Sequence, residues 1–218
     1  MGFFLIAFPA LFSIINPIGS SFVFLSLTRQ YPPQMRAQLA RWVAIYGFAI
    51  VIGSVYIGAH VLGFFGISIP VLRVAGGIVI AAAGWRMLSA PEDAEPKRER
   101  AAEGSAAVLA ERETVRRIAF FPLAMPITTG PGTIAVAVSL GATRPKEIGL
   151  LFNFLWQVAL AALCITAVIY LLYRYSDRVS RLLGPTGTVI IQRLSSFLLF
   201  CIGIQVLWSG ASELLGIS

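Results

Sequence analysis

The chain has 218 residues, of which 57% are hydrophobic and 12% charged, and its mean hydropathy is +0.82. A soluble domain carries about 25% charged residues, so a water-soluble globule is excluded. The formal net charge of +7 is read as loop charge that orients a membrane protein, not as a footprint for nucleic acid.

Uncharged runs lie at 1–28, 42–59, 118–143, 148–173 and 194–212, and a sixth at 70–88 qualifies with Arg73 near its start. A bilayer-spanning helix needs about 20 mainly apolar residues. The runs therefore predict an all-α integral membrane protein with six spans. The first run has no basic leader and no small-residue cleavage site, which predicts a retained span and not a secretory signal.

The loops between these runs differ in charge. Arg29, Arg36 and Arg41 flank the first loop, and Arg174, Arg178 and Arg181 the fifth. The third holds Arg86, Lys97, Arg98, Arg100, Arg112, Arg116 and Arg117, whereas the loops of the other side hold only Arg144 and Lys146. Positive loops stay in the cytoplasm, so both termini are expected on the outer, periplasmic side of a prokaryotic inner membrane. The charged stretch 91–116 reads as a solvated, partly helical linker. It separates a first three-span unit, 1–90, from a second, 117–218.

Each unit opens with the same phrase. "FPALFSIINPIGSSFVFLSL" at 8–27 and "FPLAMPITTGPGTIAVAVSL" at 121–140 align without a gap at Phe-Pro, Ile14/Ile127, Gly19/Gly132, Val23/Val136 and Ser-Leu. The third span of each unit carries one arginine near its start, Arg73 and Arg193. Three spans per unit is odd, so the second unit must cross in the opposite sense. Inverted repeats of this kind build many secondary transporters.

The phrases are interrupted at corresponding places, by "NPIGSS" at 16–21 and "TTGPGT" at 128–133. Proline has no N–H and disfavours helix in the residue before it. Asn16, Ser20, Ser21, Thr128, Thr129 and Thr133 are residues that cap helix starts. Discontinuous helices restarting at Pro17 and Pro131 are expected, each leaving free N–H groups, a positive dipole end and unpaired carbonyls. Such backbone survives in a membrane only inside protein or against a polar cavity. N–H groups suit a carboxylate, while carbonyls and hydroxyls suit an ammonium group, a combination that fits a zwitterionic amino acid. The candidate substrate site is Asn16, Pro17, Gly19 and Ser20 with Thr128, Thr129, Gly130, Pro131, Gly132 and Thr133. The plainer reading is a pair of proline kinks patched by hydroxyls.

Arg73 and Arg193 are candidate gating or helix-anchoring residues, or arginines that snorkel to the headgroups. Asn153 and Gln157, four apart on the fifth span, are interhelical hydrogen-bonders or part of the pathway. His60 reads as interfacial, and Cys164 and Cys201 as packing residues. Acidic residues fall in the linker or, as Glu147, Asp177 and Glu213, at span ends, so a carboxylate proton relay has no evident member. The sequence offers no phosphate-binding loop and no metal-ligating cluster. No enzyme activity, cofactor or metal is expected, and no coupling ion is specified.

These segments resemble the MarC family of bacterial and archaeal inner-membrane proteins. "NPIGSSFVFLSLT" and "PLAMPITTGPGTIAV" are similar to its two signature segments, and "GISIPVLRVAGG" and "GPTGTVIIQRL" to its third and sixth spans. The resemblance covers nearly all of the chain except the linker. It implies a six-span inner-membrane protein, and some members are described as neutral amino-acid transporters. It supports Asn16, Pro17 and Gly19, then Gly130, Pro131 and Gly132, with Arg73 and Arg193. The family's first motif often continues with Asn and a further Pro after the glycine, where this chain has "GSSF". The reading is a secondary transporter of small neutral solutes, amino acids foremost, working by alternating access among membrane lipids, with oligomers allowed. The alternatives are a membrane scaffold or stress-response protein that transports nothing, and a lipid-handling protein.

Overall fold

Prolines, and the residues directly before them, set several of the helix boundaries. The computed structural model describes residues 2–89 and 108–217, and these are helical, without a strand. Helix α1 (Gly2–Ile15) ends where Asn16 turns left-handed, at φ 47° and ψ 64°. Pro17 keeps Asn16 out of the right-handed helix region and starts α2 (Pro17–Thr28) with its fixed φ. Pro32 is extended, at ψ 156°, and Pro33 begins α3 (Pro33–Phe64). Gly66, with φ 67°, turns the chain into α4 (Ile69–Ser89).

The linker expected at 91–116 lies partly outside the described residues. Its last part joins α5 (Val108–Ile118), which buries Val115 and places the Arg116 guanidinium 4.3 Å above the Trp42 ring of α3. Among the described residues, Val115, Ile118 and the cation–π contact dock this end of the linker on the bundle.

The fourth uncharged run does not form one long helix. Phe121 (φ −127°, ψ 125°) and Met125 (φ −123°, ψ 122°) are extended within the irregular stretch Ala119–Thr128. Each stands before a proline, which disfavours the helical conformation there. Regular helix resumes only in α6 (Pro131–Ala142), followed by α7 (Ile148–Arg174) and α8 (Ser176–Leu215). Within α8, Gly184 breaks the helix at φ 67° and ψ 177°, directly before Pro185. As a result five helical stretches among the described residues are long and apolar enough to cross a bilayer: Gly2–Leu25, Pro33–Phe64, Ile69–Ser89, Ile148–Arg174 and Thr186–Leu215. Pro131–Ala142 is apolar but shorter.

The core gathers Leu11 of α1, Phe24 of α2, Val43 and Val51 of α3 and Ile165 and Ile169 of α7. Large apolar residues such as Phe152, Leu163, Ile190 and Trp208 instead face outward, as they do on a surface solvated by lipid.

Helices α4 and α8 run antiparallel with their backbones in contact. A Cβ on Gly77 would come within 2.4 Å of Leu207 N, one on Gly84 within 2.5 Å of Phe200 N, and one on Gly203 within 2.3 Å of Ala81 N. Small residues permit this approach, the usual means by which helices associate in a membrane.

Candidate functional site

Pro17 has no N–H, so the Ser13 carbonyl, four residues earlier, loses the helical partner it would otherwise have. Asn16 repairs much of this first break. Its Oδ1 accepts from the Gly19 N–H at 3.2 Å, and its Nδ2 donates to the Ser195 carbonyl of α8 at 3.1 Å. Gly19 lies so close beneath that a Cβ there would fall 2.6 Å from Asn16 Nδ2 and 3.0 Å from Ser195 Cβ. Pro17, Ser20 and Ser21 are buried, and Ser21 donates to the Ile18 carbonyl at 2.6 Å.

At the second break the threonines fold back on their own strand of chain. Thr128 donates to the Leu123 carbonyl at 2.8 Å, and Thr129 sends its N–H (2.7 Å) and its hydroxyl (2.9 Å) to the Ala124 carbonyl. Gly130 is extended, Pro131 is exposed, and no side chain caps α6. Gly132 and Thr133, at the start of α6, are buried, and a Cβ on Gly132 would lie 2.2 Å from Ile80 Cγ1 of α4. The two breaks thus differ: the first is capped by its own asparagine, while the second presents a helix start with no side-chain cap.

The breaks approach one another through a residue the sequence reading missed. Tyr173, near the end of α7, is buried, stacks on Phe24 of α2 with ring centroids 4.4 Å apart, and places its hydroxyl 2.8 Å from Thr128 Oγ1. Thr128 has one hydroxyl proton and directs it to Leu123, so Tyr173 is the donor in that contact. Ser20 of the first break faces the same tyrosine hydroxyl without a hydrogen bond of normal geometry, and its Oγ is buried without a partner. Hydroxyls from both interruptions therefore converge on Tyr173. A tyrosine near the end of a span ordinarily reads as an interfacial anchor, and nothing local distinguishes this one.

The arginines have separate surroundings. Arg73 donates from Nε to Ser139 Oγ at 3.2 Å and forms a 2.5 Å ion pair with Glu213. Arg193 donates to the Leu88 carbonyl at the far end of α4. Asn153 is exposed and bonded within its own helix, to the Gly149 carbonyl and the Trp156 indole N–H. Gln157 is buried and accepts from the Phe4 N–H of α1. His60 is exposed beside Arg144, 3.1 Å away. Both cysteines are free thiols, and the described residues include no cluster of metal-ligating side chains.

A cleft of about 360 Å³ opens where α4, α6 and α8 meet. Arg73, Ser139, Gln205 and Ser209 give it polar groups, and Val136 and Val206 an apolar wall. It lies near the ends of α6 and α8 and is lined by residues other than those of the two breaks.

Apolar helices of spanning length, an outward-facing hydrophobic surface and a polar interior around two helix interruptions define a helical integral membrane protein. Comparison with known proteins agrees over the full length. The model of the MarC family of integral membrane proteins matches residues 1–215. Inner membrane proteins named MarC from Salmonella paratyphi A and Citrobacter koseri are each 36% identical, and one from Escherichia coli O1:K1 is 35% identical. Each alignment covers 94% of this chain and 92% of the relative. The chain belongs to the MarC family. No solved structure matches it.

Proposed function

We propose that the chain is a secondary transporter of small neutral solutes, neutral amino acids foremost, which works by alternating access around the two interrupted helices. In this reading residues 1–90 and 117–218 are inverted three-span units joined by 91–116. Ala119–Thr128 and α6 together make the sixth crossing, and the basic loops put both termini on the periplasmic side.

The observation that carries the proposal is the convergence on Tyr173 of Ser20 from one interruption and Thr128 from the other. Burying a hydroxyl without a partner costs about 1–3 kcal/mol, a cost that a polar solute bonded to Ser20 would offset. The aligned glycines of the two phrases support the inverted relation. Gly19 seats against Ser195 of the last helix, and Gly132 against Ile80 of the last helix in the first unit. Hydroxyls around Tyr173 suit an ammonium group, and the start of α6, which no side chain caps, suits a carboxylate.

Uptake of radiolabelled glycine and alanine into proteoliposomes tests the proposal. The parent should accumulate label, and Gly132→Leu, which fills the contact with Ile80, should not. Folded protein that moves neither amino acid would leave only a membrane scaffold.

A further inference from the structure

The surroundings of Arg73 point to a more specific site. Its guanidinium has five N–H donors. Among the described residues its partners are Ser139 through Nε and Glu213 through Nη1, so donors remain for another acceptor. The two members of the ion pair are unequally held. The Arg73 side chain is 26% exposed and rooted in the first turn of α4, where α8 comes so close that a Cβ on Gly210 would lie 2.8 Å from Arg73 Cβ. The Glu213 side chain is 46% exposed and stands in the last turn of α8, two residues before the helix ends at Leu215. The arginine is the fixed partner and the glutamate the loose one.

We infer that the cleft beside Arg73 is a recognition site for the carboxylate of a small solute, which takes the place of Glu213 on the guanidinium. The inference rests on the transport reading and adds to it a separate recognition site at one end of the bundle, apart from the two interruptions. Glu213 is the internal stand-in: its carboxylate already shows that the arginine accepts this group in this geometry. Exchanging one carboxylate for another keeps Arg73 paired at both ends of the exchange, which avoids an isolated charge near the bilayer. The remaining lining fits the rest of such a molecule. Gln205 and Ser209, one turn apart on α8, supply oxygen acceptors for an amine, and Val136 and Val206 face a short apolar side chain.

A thiol at the mouth of the cleft gives a local readout that does not depend on transport. Thr143 lines the cleft and is exposed. In full-length protein with Cys164→Ala and Cys201→Ala, Thr143→Cys should be alkylated, and alanine or acetate should protect it. Glycinamide, which lacks the carboxylate, should not. Arg73→Gln should abolish protection and Arg73→Lys restore part of it. Glu213→Gln should increase apparent affinity, because an internal competitor lowers affinity by the fraction of time it occupies the site. If the pair is open about a tenth of the time, the gain is about tenfold. A gain cannot come from misfolding, so this variant decides the matter even if Arg73→Gln is unstable.

Equal protection by glycinamide, protection that survives Arg73→Gln, or weaker binding in Glu213→Gln would each overturn the inference. Protection by anionic phospholipid but not by alanine or acetate would assign the arginine to a headgroup phosphate and overturn it too, as would no protection by any of them. Uptake that requires Tyr173 but is indifferent to both Arg73→Gln and Glu213→Gln would remove the cleft and leave the transport proposal standing. Cleft protection without uptake would do the reverse.

Discussion

Asn16 donates to the backbone oxygen of Ser195 while accepting from the N–H of Gly19, so one side chain both caps α2 and fastens its start to α8. It does so from a left-handed conformation, which asparagine tolerates better than most residues. Asn16→Ala loses both bonds and keeps the unfavourable backbone. The cap is worth about 1 kcal/mol and the cross-helix bond about 1 kcal/mol more. Thermal unfolding in detergent should show a clear loss of stability, and Asn16→Gly should lose less because glycine accepts the positive φ. A midpoint equal to the parent's in Asn16→Ala would mean that something else holds the break.

Tyr173→Phe removes one oxygen and keeps the ring that stacks on Phe24. Thr128 retains its bond to Leu123, so little stability should be lost, within about 1 kcal/mol for one hydrogen bond. Glycine uptake should nevertheless fall by roughly tenfold or more, the effect of losing about 1.4 kcal/mol of solute interaction. Parent-level uptake in this variant would remove the hydroxyl cluster from the pathway.

Glycines where α4 meets α8 can be separated from glycines that have room. Gly77→Ala and Gly203→Ala each drive a methyl group into the facing backbone, at 2.4 Å from Leu207 N and 2.3 Å from Ala81 N. Overpacking of this kind costs about 1–3 kcal/mol. Gly53, in the middle of α3, has nothing within 4 Å of its would-be Cβ. Gly53→Ala should be neutral or stabilising, by up to about 1 kcal/mol from helix propensity. Equal unfolding midpoints in all three variants would contradict the close contact of α4 and α8.

The proposed orientation is tested with reporters. Arg36 and Asp177 pair at one end of the bundle, near Arg174 and Arg178, while Arg73 and Glu213 pair at the other. A reporter active only in the cytoplasm should be silent when fused at the C-terminus and active when inserted after Gln30, between α2 and α3. The opposite pattern would invert the topology.

The helix interruptions were legible because their causes are local. Proline disfavours helix in the residue before it, and Asn16 and Gly130 follow that preference, although Phe8 before Pro9 stays helical within α1. The same preference before Pro122 and Pro126 accounts for the extended residues Phe121 and Met125, and so for the absence of a single long fourth helix. The seven-residue spacing of Gly77 and Gly84, and of Gly203 and Gly210, was not read as a sign of close helix packing, although small residues at such spacing permit it. Tyr173 and Glu213 were not legible. Their importance comes from partners far away in sequence, Thr128 and Ser20 for one and Arg73 for the other, and no periodicity encodes such a meeting. Asn153 and Gln157 show the converse. Their spacing puts them near one another on α7, yet one is exposed and the other is buried against α1, because the edge of the contact runs between them.

The glycine-lined contact of α4 with α8 divides the molecule along a line that the order of the chain conceals. Each helix is the last of its proposed unit, yet each is pressed more closely on the other than on its own neighbours in sequence, with backbone against backbone from Gly77 to Gly84. Under the proposed alternating access, a pair packed this closely would turn as a single strut. The other helices are organised around α3, which packs on α6, α7 and the docked α5. A turn of the strut would then displace Arg73, on one end, together with Arg193 near the other. The two broken helices need not bend for the molecule to change shape. They can serve as the fixed bearings, Gly19 under one helix of the strut and Gly132 under the other, against which it pivots.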